Sequence, residues 1–191
     1  MAFTFFFRDQ QTLEMIRDHA APALRGRQHI RVWDAGCAHG PEPYSLLMVL
    51  REGLGPYAFR NLRLLATDLD QGGQFQASVA AGVFPDEQIR RLPARSRDAH
   101  FRRLAEDPAR WRASEELRAA VTFQRHDLLS LQPPRRDFCL IVCKNVLLHF
   151  TADQRAAVLR MFHDALQEDG FLAMEQTQKP PADVADLFAA V

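Results

Sequence analysis

What most constrains this chain is a set of short apolar segments, most of them ending at a glycine, aspartate or cysteine, that alternate with helical patterns. "HIRVWDAG" (29–36), "LRLLATD" (62–68), "VTFQRHD" (121–127), "DFCLIVC" (137–143) and "GFLAMEQ" (170–176) read as strands. Several are apolar at successive rather than alternate positions, the pattern of a strand covered on both faces. Before and between them lie helical stretches. "QQTLEMIRDHAAPAL" (10–24) repeats Leu13, Ile16 and Ala20 at helical spacing. "PEPYSLLMVLREGLG" (41–55) carries Pro41 and Pro43 in its first turn and is expected to end at Gly53 or Gly55. "QFQASVAAG" (74–82) closes at Gly82. "TADQRAAVLRMFHDALQEDG" (151–170) has Thr151 placed to cap its start and Gly170 its end, and "ADVADLFAAV" (182–191) reads as a last helix. The alternation predicts an α/β fold: a parallel sheet with helices on both sides. A segment at about 85–120 interrupts it and reads as an insertion with a short hairpin, "HFRRLAEDPARWRA".

Composition narrows the classes of function. A chain of 191 residues fits one domain, taken as 1–191. Lys plus Arg and Asp plus Glu both number 24, so no global charge calls for nucleic acid. No apolar run approaches the roughly 18–20 residues that cross a bilayer, so no membrane insertion is expected. "TFFFRDQ" (4–10) is too short and too quickly charged for a secretory signal. Cys37, Cys139 and Cys143 do not make a disulfide framework, and a cytoplasmic protein is the expectation. Cys139 and Cys143 stand four apart on one strand, are predicted to face the same side, and read as core; no metal-ligand set accompanies them.

In parallel sheets, ligands bind beyond the carboxyl ends of the strands. The first strand ends in "DAGCAHG", where Gly36 and Gly40 let the backbone turn and approach a ligand. The dinucleotide spacing G-x-G-x-x-G is absent, and Asp34 sits inside the motif. That suits a ligand without a pyrophosphate, such as S-adenosylmethionine, although a strand-to-helix turn calls for glycine in any case. Asp68, closing the second strand, can accept ribose hydroxyls; equally, Asp68 or Asp70 can cap the helix that follows. Asp127, closing the third, can meet an adenine amino group or serve as a turn residue.

"TFFFRD", "VWDAGCAHGPEPYSL", "LLATDLD", "VTFQRHDLL" and "CKNVLLHF" follow the order and spacing of the CheR family. The chain thus resembles the chemotaxis-receptor methyltransferases, which methylate glutamate side chains with S-adenosylmethionine and release S-adenosylhomocysteine. The resemblance implies the class I methyltransferase sheet, with the insertion as the family's small β-subdomain. It implies that Thr4 and Arg8 line the cofactor pocket, with Arg8 near the methyl group and the phenylalanines wedging this segment onto the core. By the same resemblance Glu42 binds the methionine or ribose portion, Asp68 the ribose, and Asp127 with Leu128 the adenine. Lys144 and Asn145 stand beside the cofactor, Gly36 belongs to the same loop set, and His149 replaces an active-site tyrosine; Arg8 and His149 are the catalytic candidates.

The departures are specific. Ala2 replaces an asparagine, Pro41 a glutamate and Lys144 an arginine, and "EQTQ" (175–178) stands where the family has "GHSE". Lysine lacks the planar two-point contact of arginine, and histidine as a residue type, unlike tyrosine, changes charge near neutral pH. The helical domain that precedes "TxFFRD" in the family and its last two strands have no counterpart in these residues. Strand 170–176 is therefore expected at an apolar edge, covered by the final helix or by a second chain in a homodimer. From Arg90 to Arg125, ten arginines face five acidic residues, which suits either a glutamate-rich helical receptor segment or a solvated surface. The hairpin edge can also take a peptide as an added strand. Two alternatives to a protein-glutamate methyltransferase are a CheR-like enzyme with another acceptor and a non-catalytic binding module for the cofactor.

Overall fold

The computed structural model describes residues 4–175 and 180–190. The chain enters through a helical run made of α1 (Gln10–Met15), a π-helical turn at Ile16–Ala20 and α2 (Ala21–Leu24). The widened turn comes just before Pro22, whose ring and missing N–H do not fit a regular α-helical interior. β1 (Ile30–Ala35), α3 (Pro41–Phe59), β2 (Leu62–Asp68) and α4 (Phe75–Ala81) follow, with α3 kinked at Gly55. The inserted unit holds β3 (Val83–Pro85), α5 (Asp86–Ile89), α6 (Ala94–His100), β4 (Phe101–Arg103), β5 (Arg110–Ala113) and α7 (Glu115–Ala120). β6 (Val121–Arg125), β7 (Phe138–Cys143), α8 (Ala152–Ala165), β8 (Leu166–Met174) and α9 (Ala182–Ala185) complete the order.

Five strands form one parallel sheet in the order β6-β2-β1-β7-β8. The chain works outward from β1 to β2 and β6, then returns to lay β7 on the other side of β1. The order therefore reverses between β1 and β7, and a crevice is set beyond their carboxyl ends. Each face has its own core. Val32, Leu64, Leu140 and Val142 join the residues of α1–α3, while Trp33, Ile141 and Cys143 join those of α8. Trp33 is fully buried and its indole N–H donates to Thr67 Oγ1 at 2.8 Å. Cys139 belongs to the first core and Cys143 to the second, so the two do not share a side. The β7–β8 register shifts between Phe138 and Leu140, and the simple alternation fails there.

The insertion is a three-stranded antiparallel sheet, β3-β5-β4. It contains the expected hairpin plus one further strand, which begins at Val83. The opening phenylalanines find their use here. Phe6 is buried edge-on against Phe84 (4.9 Å between centroids) and Phe101 (5.6 Å). Next to it, the Phe7 N–H donates to Ser45 Oγ at 2.9 Å. One aromatic side chain thus joins the start of the chain to the insertion, and one hydrogen bond pins it to α3.

Two expectations at the far end of the sheet are corrected. The helix from 151 is capped by Thr151, in a reciprocal box with Gln154, but it ends at Ala165 and not at Gly170. Leu166 pairs with Phe138 and Phe171 with Leu140, so the residues between them bulge out of β8. Arg27 holds the bulge through Gln167 and through Asp169 at 2.5 Å. At Gly170 a Cβ would lie 3.1 Å from the Phe138 carbonyl oxygen, which is why the bulge carries glycine there. The expected helix at 182–191 is the single turn α9, and Val191 lies outside the described residues. The C-terminal segment packs on α8 through Arg160–Asp183 (2.9 Å) and the rings of His163 and Phe188. Among the described residues it does not pair with β8, which stands at the edge of the sheet. A groove of about 1040 Å³ runs along that edge, walled by Met15 and Ile16 and by Leu187 and Phe188. Among the described residues, no helix is long and apolar enough to cross a membrane.

Candidate functional site

The loop after β1 is fastened to β2. Gly36 and Cys37 both donate their N–H to the Thr67 carbonyl, at 2.8 and 3.0 Å. Gly36 has φ 98°, and a Cβ there would come within 2.1 Å of Val146 Cγ2. Only glycine lets the loops after β1 and β7 touch at that point. The next turn brings the Ala38 N–H to Asp68 Oδ2 at 3.0 Å. The helix after β2 is capped by Asp70, whose carboxylate accepts from Gln74 (3.0 Å) and Phe75 (3.1 Å). Asp68 is therefore not the helix cap; it holds the glycine loop, at the mouth of the crevice.

Besides Asp70, which caps the helix, four charged side chains are buried at this end of the sheet among the described residues: Asp34, Glu42, Lys144 and Glu175. Burying charge is costly unless it is paired. Lys144 Nζ lies 3.4 Å from Glu42 Oε2 and donates to the Arg8 carbonyl at 2.9 Å. Burial pushes the Asp34 carboxyl well above the usual range, and neighbouring Glu42 adds to this while Lys144 opposes it. Burial raises Glu42 as well, against the pull of Lys144, a hydrogen bond from Asp34 and the charge of Arg8. An ionised Asp34 would have no donor for either oxygen. A protonated Asp34 turns its O–H to Glu42, and Glu42 in turn faces Lys144.

Among the described residues, Thr4 Oγ1, Asn145 Oδ1 and Glu175 Oε1 have no donor, and Glu42 Oε1 has none beyond the Asp34 O–H. Thr4 and Arg8 come from the opening segment, Glu42 from the first turn of α3, and Lys144 and Asn145 from the turn after β7. Asn145 sits in the left-handed region (φ 58°), and its N–H donates to Glu175 Oε2 at 2.9 Å. Unsatisfied buried acceptors in a group with one buried cation suit a small ligand rich in donors and positive charge.

Not every expected residue joins this group. Asp127 is exposed at the tip of β6, two strands from β1, and accepts the Leu129 N–H at 2.9 Å. Leu128 is buried in the α8-side core. His149 is exposed on the short 3₁₀ turn Leu147–His149, and its ring makes no hydrogen bond or ion pair among the described residues. Two large cavities are present among the described residues: the β8 groove, whose lining reaches Met174 and Glu175, and a cleft of about 890 Å³ between the opening segment, α3 and α6. Of the stretch 175–178 only Glu175 is described, and Ala2 also lies outside the described residues. Sequence reasoning did not select Glu175. The signal was available, since it closes β8 as Asp34, Asp68 and Asp127 stand at or beside the ends of theirs.

The family model described as "CheR methyltransferase, SAM binding domain" matches residues 2–188. The chain is similar to a chemotaxis protein methyltransferase of Listeria innocua, 32% identical over 182 residues, covering 93% of this chain and 66% of that protein. It is also similar to chemotaxis protein methyltransferase 1 of Pseudomonas aeruginosa, 30% identical, covering 88% of this chain and 63% of that one. The chain thus spans just under two thirds of these relatives' length. Among solved structures it is similar to the glycopeptide N-methyltransferase MtfA complexed with sinefungin, at TM-score 0.49 and 11% identity, over 89% of this chain and 53% of that one.

Proposed function

Because this chain belongs to the CheR methyltransferase family, we propose that it binds S-adenosylmethionine beyond β1, β2 and β7 and methylates glutamate side chains of a chemoreceptor segment. The observation that carries the reading is the set of buried oxygens of Thr4, Asn145 and Glu175 that have no donor among the described residues, with Glu42 beside them. An ammonium and ribose hydroxyls donate to such acceptors, and a sulfonium complements carboxylates by its charge; a phosphate does neither. Asp68 takes the ribose, Asp127 and Leu128 flank the adenine, and Thr4, Arg8, Gly36, Glu42, Lys144 and Asn145 surround the methionine portion.

When bound, the cofactor supplies an electrophilic methyl group. A glutamate acceptor, with a reference pKa of about 4.3, is ionised at neutral pH, so no general base is needed. The protein's work is to orient the acceptor and exclude water, and alignment contributes up to about 7–11 kcal/mol in well-oriented systems. Arg8, its carbonyl tied to Lys144, directs a guanidinium at the carboxylate. His149 is open to an approaching acceptor. A glutamate-rich receptor helix would be drawn to the insertion, where Arg91, Arg95 and Arg110 are exposed without an ion pair among the described residues. The β8 edge is the place where two copies would meet, and the cytoplasm is the compartment that this substrate implies.

The test is transfer of a radiolabelled methyl group to a receptor cytoplasmic fragment, with Arg8→Ala as control. Label on receptor glutamates that falls in the variant supports the proposal; no label from either removes it. The departures at Pro41, Lys144, His149 and 175–178 favour a second reading, a cofactor-binding module or an enzyme with another acceptor. Tight cofactor binding with no label on the receptor would favour that reading.

A further inference from the structure

Glu175 is an unusual residue for the end of a strand. Met174 pairs with Cys143, so Glu175 stands beside Lys144 at the crevice. It is only 6% exposed, and Oε2 accepts the Asn145 N–H at 2.9 Å. Oε1 has no donor among the described residues, and Lys144, the buried cation, faces Glu42 instead. Burial pushes the Cys143 thiol upward, and Glu175, Glu42 and Asp34 add to it in that order, so three carboxyls converge on one place. Lys144 is directed at Glu42, and the charge of Arg8 also acts on Glu42. Among the described residues, Glu175 Oε1 is left as a buried carboxyl oxygen with no donor.

We infer that Glu175 is a cofactor-binding residue of this chain, accepting a hydrogen bond from the ligand's ammonium with Oε1 while Oε2 fixes the Asn145 turn. The inference rests on the cofactor reading above and assigns the amino end of the ligand to the β7–β8 side. It also predicts a preference: the pocket discriminates for a ligand with a positive charge there.

Calorimetric titration tests it with two probes, S-adenosylhomocysteine and its analogue with hydrogen in place of the amino group. A charge-assisted hydrogen bond at a buried carboxylate is worth about ten- to a hundredfold in affinity. The wild-type chain is expected to bind the amino-bearing probe tighter by about that factor. Glu175→Gln keeps a carbonyl for the Asn145 N–H and removes the charge. It is expected to leave the analogue's affinity unchanged, to weaken S-adenosylhomocysteine to match, and not to lower the melting temperature below that of the wild type. An unchanged ratio in the variant overturns the inference while the cofactor reading stands. Equal affinity of the wild-type chain for the two probes overturns it without any variant. Failure of the wild-type chain to bind either probe overturns the cofactor reading itself.

Discussion

Replacing Lys144 by methionine keeps the reach of the side chain and deletes its charge. The ammonium lies 3.4 Å from Glu42 Oε2, and both side chains are nearly inaccessible, at 1% and 6%. At an effective dielectric constant of about 20, that separation corresponds to roughly 5 kcal/mol of attraction. The bond from Nζ to the Arg8 carbonyl contributes about 1.5–3 kcal/mol more. Desolvating the ammonium cancels much of both, so the intact pair is close to neutral for stability. Deleting one partner is different, because Glu42 is left as an uncompensated buried charge, at a cost of about 3–5 kcal/mol. For a chain of this size that lowers the melting temperature by roughly 10 °C. The assay is urea unfolding of wild type, Lys144→Met, Glu42→Gln and the double variant. The double variant should recover at least about 2 kcal/mol over the sum of the singles. Lowering the pH should relieve Lys144→Met, because its folded Glu42 holds a proton more readily than the unfolded chain does, so the penalty grows as pH rises. A Lys144→Met variant within about 1 kcal/mol of wild type at pH 7, with additive singles, would refute the buried ion pair.

Further outcomes are expected from the same geometry. The raised Asp34 carboxyl binds a proton in the folded chain that the unfolded chain has released, so it lowers stability as pH rises above about 4, by at most about 1.4 kcal/mol per pH unit until it ionises. Asp34→Asn should remove that slope, which urea midpoints at several pH values will measure. Gly36→Ala should cost about 3 kcal/mol or more, from the positive φ and the contact with Val146; adding Val146→Ala should relieve the contact part only. Phe6→Ala should cost about 3–5 kcal/mol in urea unfolding, since it empties the aromatic joint between the opening segment and the insertion. Arg8→Ala should cut turnover on a receptor fragment by at least about tenfold while moving the unfolding midpoint little; equal turnover removes Arg8 from the reaction.

The sheet was legible because runs such as "LLATD" and "FCLIV" are apolar on both faces, and their order alone requires crossovers. The end of α8 was not legible. "LQEDG" continues the helical pattern and finishes in glycine, yet Leu166 gains a partner in Phe138, and cross-strand pairing is invisible to local periodicity. The π-turn at Ile16–Ala20 escaped for a related reason, since Pro22 disturbs the helix without ending it. At the site, Asp34, Gly36 and Asp68 announced themselves by standing at strand ends. Which aspartate caps the next helix depended on a single turn, and Asp70 took that role. The contact between Lys144 and the Arg8 carbonyl spans 136 residues, and Glu175 meets Asn145 only because β8 lies beside β7. Charges that complete one another across the sheet are a property of topology, and the sequence shows them one at a time.

The most direct measurement is a crystal structure of the chain grown with S-adenosylhomocysteine. The account predicts density in the crevice bounded by Gly36, Asp68 and Asn145, with the ribose on Asp68 and the amino end toward Glu42 and Glu175. Ligand seated instead in the β8 groove or the cleft beside α6, with that crevice vacant at saturating concentration, would contradict it.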